Sequence, residues 1–220
     1  MKKLVVVGDL HGQYEIVETI LDKKGYMVVF IGDYLDSFDR SMLEQLHTIN
    51  LVTNAARLHP DRVWALRGNH EMSYLDPTMQ CSGYSYELQN RVNWSVDMTP
   101  LMDYIWIDNW LISHAGVSAK LLEDRNETLE EYLAKGSFNQ IGRARGGRDS
   151  IGGLYWCDWW KEFEPIETRQ IVGHSNYRPD NAKAGIVTKG NSFQIDCLGR
   201  TSEVLVIEGD TAEIWEIDDL

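Results

Sequence analysis

The sequence predicts an α/β fold with a mainly parallel sheet, and two observations carry that reading. Short apolar runs at Leu4–Val7, Met27–Ile31 and Val63–Leu66 are the length of buried strands, and each is followed within two residues by glycine and a polar side chain. Between them lie segments whose apolar residues fall on one helix face: Ile16, Val17, Ile20 and Leu21 within 14–24, then a longer stretch from about Ser41 to Leu58. Strands joined through helices are crossover connections, so neighbouring strands run parallel. Ligands of such sheets bind beyond the carboxyl ends of the strands, where the three glycine-containing loops converge.

Later elements follow from the same patterns. Residues 76–104 include Pro77 and Pro100, several aromatics and weak periodicity, and read as a partly helical insertion within a single domain covering 1–220. Ile105–Ser113 regains strand character and ends at His114. The stretch 142–153 has five glycines and is expected to be a mobile loop. From Gln170 onward, the runs at 170–172, 184–187, 193–196, 203–208 and 212–216 predict strands of an antiparallel meander closing the domain.

Composition narrows the functions. The 220 residues carry 34 Asp+Glu against 21 Lys+Arg, a formal net charge of −13, which argues against broad nucleic-acid binding. No apolar run approaches the roughly 20 residues that span a bilayer, so no membrane partner is expected. Cys81, Cys157 and Cys197 form no Cys-x-x-Cys pair, and the apolar run after Lys3 is too short for a signal peptide. A reducing, cytoplasmic setting is the expectation.

The chemistry lies in five blocks: Gly8-Asp9-Leu10-His11-Gly12, Gly32-Asp33-Tyr34-Leu35-Asp36, Gly68-Asn69-His70-Glu71, His114-Ala115-Gly116 and Gly173-His174. Each sets Asp, Asn or His where a strand gives way to a loop. Imidazole, carboxylate and amide oxygen without thiolate suit divalent Mn, Fe, Zn, Co or Ni and select weakly among them. The bland alternative, turn-forming aspartates and satisfied core histidines, would require five ordered blocks by chance.

These five blocks, in this order, resemble the calcineurin-like metallophosphoesterases along nearly the whole chain. Leu66-Arg67-Gly68-Asn69-His70-Glu71 and the first block are most similar to the phosphoprotein phosphatase branch, with its small bacterial and phage members and the related symmetrical diadenosine tetraphosphate hydrolases. The resemblance implies two mixed β-sheets face to face, helices outside, and a dinuclear metal site at one edge. It implies Asp9, His11, Asp33, Asn69, His114 and His174 as metal ligands, with Asp33 bridging. His174 is open to either ion. His70 matches the general acid and Asp36 the carboxylate that orients it. Two divalent ions, with Mn the leading candidate, would hold a hydroxide between them for hydrolysis of a phosphorylated substrate. Phosphoserine or phosphothreonine in a protein is the leading class, a dinucleoside polyphosphate or other nucleotide the alternative, and a non-catalytic metal-binding module the alternative of another kind.

Phosphate recognition departs from the family. An arginine commonly follows the second Asp of the Gly-Asp block, where this chain has Ser37, with Arg40 three residues on. Another follows the Trp matched by Trp156, where this chain has Cys157-Asp158. Arg67, Arg40 and the loop residues Arg143, Arg145 and Arg148 are the remaining candidates, because guanidinium pairs bidentately with phosphate; the loop arginines read equally as solvated residues. Trp156, Trp159 and Trp160 suit either base stacking or packing. His47 and His59 fall outside the blocks, and Glu127, Glu130 and Glu131 read as a solvated helix face.

Overall fold

The computed structural model describes residues 2–76, 78–176 and 184–220. The first half alternates as expected: β1 (Leu4–Val7), α1 (Tyr14–Asp22), β2 (Met27–Phe30), α2 (Met42–Leu58), β3 (Val63–Leu66) and α3 (Asn69–Leu75). Next come α4 (Tyr86–Ser95), β4 (Leu101–Met102), β5 (Tyr104–Ile107), β6 (Trp110–Ser113), α5 (Ala119–Arg125) and α6 (Leu129–Lys135). The chain ends with β7 (Arg169–Val172), β8 (Val187–Lys189), β9 (Ser192–Gln194), β10 (Glu203–Glu208) and β11 (Thr211–Glu216). Ser41 starts α2 as a capping box with Glu44 rather than as its first helical residue.

The strands form two mixed sheets, ordered β11-β10-β1-β2-β3-β4 and β5-β6-β7-β9-β8. In the first, β1 to β4 run parallel and β10 pairs antiparallel to β1. Strands buried on both faces explain the continuous apolar runs. Val5, Val7, Val28 and Phe30 pack towards α1 and α2, while Leu4, Val6, Val29 and Ile31 meet Ile112 and Ile171 of the second sheet and Ile195 just beyond β9. The far face of the second sheet, through Leu111 and Val172, packs with Leu121 of α5 and Leu129, Tyr132 and Leu133 of α6. Helix, sheet, sheet and helix are thus four layers with three apolar interfaces.

Two strand expectations are corrected. Residues 105–113 are not one strand but a hairpin, β5 and β6, turning at Asp108 with φ 52°. The C-terminal runs are not one meander: β7 lies parallel to both β6 and β9, and only β8–β9 and β10–β11 are antiparallel hairpins. The chain crosses between sheets at 195–198. Alternation marks a strand but does not say which of two stacked sheets it joins.

The ends of β2 and β3 are tied by one buried side chain. Tyr34, fully buried, donates its hydroxyl to the Leu66 carbonyl at 2.7 Å, with the Phe30 carbonyl at 3.2 Å. Tyr34→Phe should lower unfolding stability by about 1–2 kcal/mol in urea denaturation, the net worth of a buried hydrogen bond; an unchanged midpoint would show that the two carbonyls find other partners.

Candidate active site

The loops after β1, β2, β3, β6 and β7 meet at the seam between the sheets. Among the described residues six non-glycine side chains sit on backbone with positive φ, and four belong to these loops: His11 (41°), Asp33 (53°), Asp36 (60°) and His174 (68°). Each such conformation costs on the order of 1–3 kcal/mol and persists only where its surroundings impose it. Close backbone approach is part of that imposition: a Cβ on Gly68 would lie 2.1 Å from Asp33 Oδ1, and one on Gly173 2.1 Å from Asp9 Oδ1.

Glu71 holds the arrangement from below. Fully buried at the start of α3, its carboxylate accepts the backbone N–H groups of Asp33 (2.8 Å), Tyr34 (2.8 Å) and Gly68 (2.9 Å). Burial and the nearby Asp33 push its pKa up to about 7.

Above it, Asp33 is shared by two groups of candidate ligands, His11–Asp33–His70 and Asp33–His114–His174, each with donor atoms within 4.8 Å of one another. Asp33 Oδ2 lies 3.3 Å from His114 Nε2, 3.8 Å from His70 Nε2 and 3.9 Å from His11 Nε2. Asn69 Oδ1 stands 2.9 Å from His114 Nε2 and 2.8 Å from His174 Nδ1. The structure therefore sets the His174 ring beside Asn69 and His114, the second of the two placements the sequence left open. His11 and His114 are aimed by bonds from Nδ1 to the carbonyls of Leu35 (2.9 Å) and Ile31 (3.0 Å). Such outer contacts fix the ring and leave Nε2 for a ligand.

The residues fit a divalent-metal pair. Asp9 Oδ1 and His174 Nε2 are buried without hydrogen-bond partners, although Asp9 Oδ2 accepts the His174 N–H at 2.9 Å. Burial, with Asp196 and Asp33 close by, pushes the Asp9 pKa well above the usual carboxylate range. Burial pushes Asp33 up as well, but His114, His70 and His11 outweigh it and hold Asp33 well below that range. Burial, Arg145 and His114 keep the His174 imidazole neutral. Neutral imidazole, buried carboxylate and amide oxygen converging on one point are the donor chemistry of Mn, Fe, Zn, Co or Ni.

His70 stands slightly apart. Its Nδ1 bonds Asp36 Oδ2 at 2.9 Å, and Asp36 is itself held by the Gln45 side chain on its N–H (2.8 Å) and by the Tyr74 hydroxyl on Oδ1. Burial pushes the imidazole down, but Asp33 and the Asp36 hydrogen bond more than reverse this and hold it at about 9.

A solvent-open cleft of about 970 Å³ covers the group, lined by His11, Asp33, His70 and His174 and rimmed by Phe38, which is 80% exposed. The expected arginines are scattered. Arg145 reaches the cleft, held by Asp158 (3.0 Å) and by the His174 carbonyl and Ser175 hydroxyl (both 3.2 Å). Arg40 lines it too, but one guanidinium nitrogen is paired with Glu15 and Glu44. Arg67 is a correction: its guanidinium turns away to the Leu101 carbonyl (2.7 Å) and Asp103 (3.2 Å), because its position follows β3 on the side facing β4. Arg143 and Arg148 are exposed and do not line the cleft. The glycine-rich stretch, expected to be mobile, is anchored through Glu162, which accepts from the N–H groups of Ala144, Gly152 and Asp158.

A comparison decides the family: the sequence pattern of the calcineurin-like phosphoesterases matches residues 2–204. The chain belongs to the calcineurin-like phosphoesterases. This phosphoesterase is 30% identical over 210 residues to the PP2A-like serine/threonine-protein phosphatase PPG1 of Saccharomyces cerevisiae, covering 89% of the chain and 48% of that protein. It is 26% identical over 215 residues to serine/threonine-protein phosphatase 5 of Rattus norvegicus, covering 92% of the chain and 39% of that protein. The chain thus spans less than half the length of these curated relatives. In fold it is similar to a cold-active protein-tyrosine phosphatase of a psychrophilic Shewanella species, with a TM-score of 0.66 at 18% identity, over 100% of this chain and 79% of that one.

Sequence reasoning passed over Glu71 as a support, although glutamate three residues after the start of a helix is a capping signal. It gave Cys81 no part in the site. Cys81 is half-buried, burial pushes its thiol up to about 12, and its sulfur accepts the Asn69 amide N–H at 3.1 Å, which turns Asn69 Oδ1 towards the histidines. No spacing rule signals that contact. Glu71→Ala strands three buried N–H groups and should cost about 3 kcal/mol or more in denaturant unfolding, with Glu71→Gln intermediate; a loss below about 1 kcal/mol would mean that water replaces the carboxylate.

Proposed function

We propose that this phosphoesterase hydrolyses phosphoserine and phosphothreonine esters in proteins, with Asp9, His11, Asp33, Asn69, His114 and His174 holding two divalent ions, Mn first among the candidates. The observation that carries the reading is the single Asp33 carboxylate facing both histidine groups, with the Asp36-locked His70 turned towards the same oxygen. When bound, such a pair lowers the pKa of a water towards neutrality and clamps phosphoryl oxygens for in-line displacement.

The chain's own groups supply the rest. His70, held protonated by Asp33 and Asp36, donates a proton from Nε2 to the departing serine or threonine oxygen, while Nδ1 stays on Asp36. Asp36 keeps the ring in that orientation because Tyr74 and Gln45 fix the carboxylate in turn. Arg145, tethered beside His174, offers its guanidinium to the phosphate. An open cleft admits a peptide segment, and the relatives named above are serine/threonine-protein phosphatases. Trp156 meets His174 edge-on and is 7% exposed, leaving little face for a nucleobase. Cys81, Cys157 and Cys197, with no Cys-x-x-Cys pair, fit a cytoplasmic setting.

Phosphopeptide and diadenosine tetraphosphate should be assayed side by side on Mn-loaded protein. Faster peptide turnover is expected; dinucleotide turnover larger by orders of magnitude would make nucleotides the substrate, and no turnover with any of the five metals would make the chain a non-catalytic metal-binding module. His70→Asn should retain its metal content and lose about 10²–10³ in kcat, least with good leaving groups; equal losses for all leaving groups would refute proton donation. Asp33→Asn should lose metal and rate together, and two ions bound at wild-type affinity in that variant would refute the shared-ligand role.

A further inference from the structure

The resemblance implies one arginine directly after Asp36 and another shortly after Trp156, where this chain has Ser37 and Cys157-Asp158-Trp159-Trp160, which turns attention to the other arginines of the cleft. Three arginines line it: Arg40, Arg145 and Arg200. Arg40 is paired with Glu15 and Glu44, and Arg145 with Asp158, so both charges are already partly neutralised within the protein. Arg200 forms no ion pair among the described residues and is exposed. Its place is built by the backbone: a turn after β9 closes through bonds from the Arg200 and Thr201 N–H groups to the Cys197 carbonyl (3.0 and 3.1 Å). Gly199 takes φ 89° there and lies beside Gln13, with 3.9 Å between the site of a Cβ and Gln13 Nε2. The turn therefore sits against the His11 loop, whereas Arg145 is tied to the His174 backbone.

We propose that Arg200 is a substrate-binding residue that grips the phosphate's non-bridging oxygens from the His11 side of the cleft, complementing Arg145 on the His174 side. This rests on the reading that a phosphoester occupies the cleft. Of the three arginines lining the cleft, Arg200 is the one without an ion pair among the described residues, and its planar fork can take two phosphate oxygens at once. Among the described residues its side chain enters no ion pair, so its replacement breaks none there.

The test is calorimetric titration of Mn-loaded protein with inorganic phosphate, paired with p-nitrophenyl phosphate kinetics, for wild type, Arg200→Ala, Arg200→Lys and, as a control for general charge, Arg57→Ala on α2. Arg200→Ala should weaken phosphate binding by about tenfold to a hundredfold and raise KM by a similar factor, with kcat within about twofold. Arg200→Lys should fall between, because charge is kept and the fork is lost. Unchanged phosphate affinity in Arg200→Ala, or an equal loss in Arg57→Ala, overturns the assignment while leaving the phosphatase reading intact if wild type turns over. A metal-loaded wild type that neither hydrolyses nor binds phosphate overturns both.

Discussion

A carboxylate taken out of water keeps its charge only where positive charge or hydrogen-bond donors meet it. Asp9, Asp33, Glu71 and Asp196 are each at most 2% exposed and crowd the seam between the two sheets. The protein answers this unevenly. Glu71 receives three backbone N–H groups, and Asp33 is surrounded by His11, His70 and His114, yet Asp9 keeps one oxygen without a partner and a pKa pushed up by burial and its acidic neighbours. A cation of charge two, seated between Asp9 and Asp33, would remove that imbalance. The site is thus strained electrostatically in the same place where it is strained in its backbone.

That backbone strain explains why the loops are anchored so heavily. Four of the site's side chains stand on left-handed backbone, and at Gly68 and Gly173 a Cβ would come within 2.1 Å of a carboxylate oxygen of Asp33 and Asp9, respectively. Such conformations survive because Glu71 fastens the loop after β2 to the one after β3, and Gly173 donates to the His114 carbonyl at 2.6 Å, joining the loops after β6 and β7. The paired sheets supply the rigid ends from which those loops depart.

How much of this is legible in the sequence depends on how local the cause is. The β1–α1–β2–α2–β3 order follows from periodicity, and the positions of Asp9, Asp33, Asn69, His70, His114 and His174 follow from glycine-flanked blocks at strand ends. Sheet membership is not local: β7 and β10 have similar apolar patterns, but one pairs with β6 and the other with β1, and only the whole packing separates them. Arg67 shows the same limit, since adjacency to Gly68-Asn69 places its backbone at the site while β4 draws its side chain to Asp103. Arg200 follows the last block by 26 residues in a turn that packs beside Gln13, and no local pattern marks it as lining the cleft.

Reaction chemistry and substrate grip obey different constraints. The metal ligands must meet within a few ångströms and are therefore bound to strand ends, where backbone position is most tightly determined. A phosphate oxygen can be reached by a long flexible side chain from many directions, so an arginine can move between loops while its function is kept. Ser37 and Asp158 illustrate what replaces a displaced arginine: the Ser37 hydroxyl accepts from the N–H groups of Asp39 and Arg40 to shape the rim turn, and Asp158 tethers Arg145. Phe38, next to Ser37, turns outward, 80% exposed, at the rim of the cleft. Phe38, Arg145 and Arg200 line the same cleft from loops outside the acid cluster, so residues there can vary without disturbing that cluster.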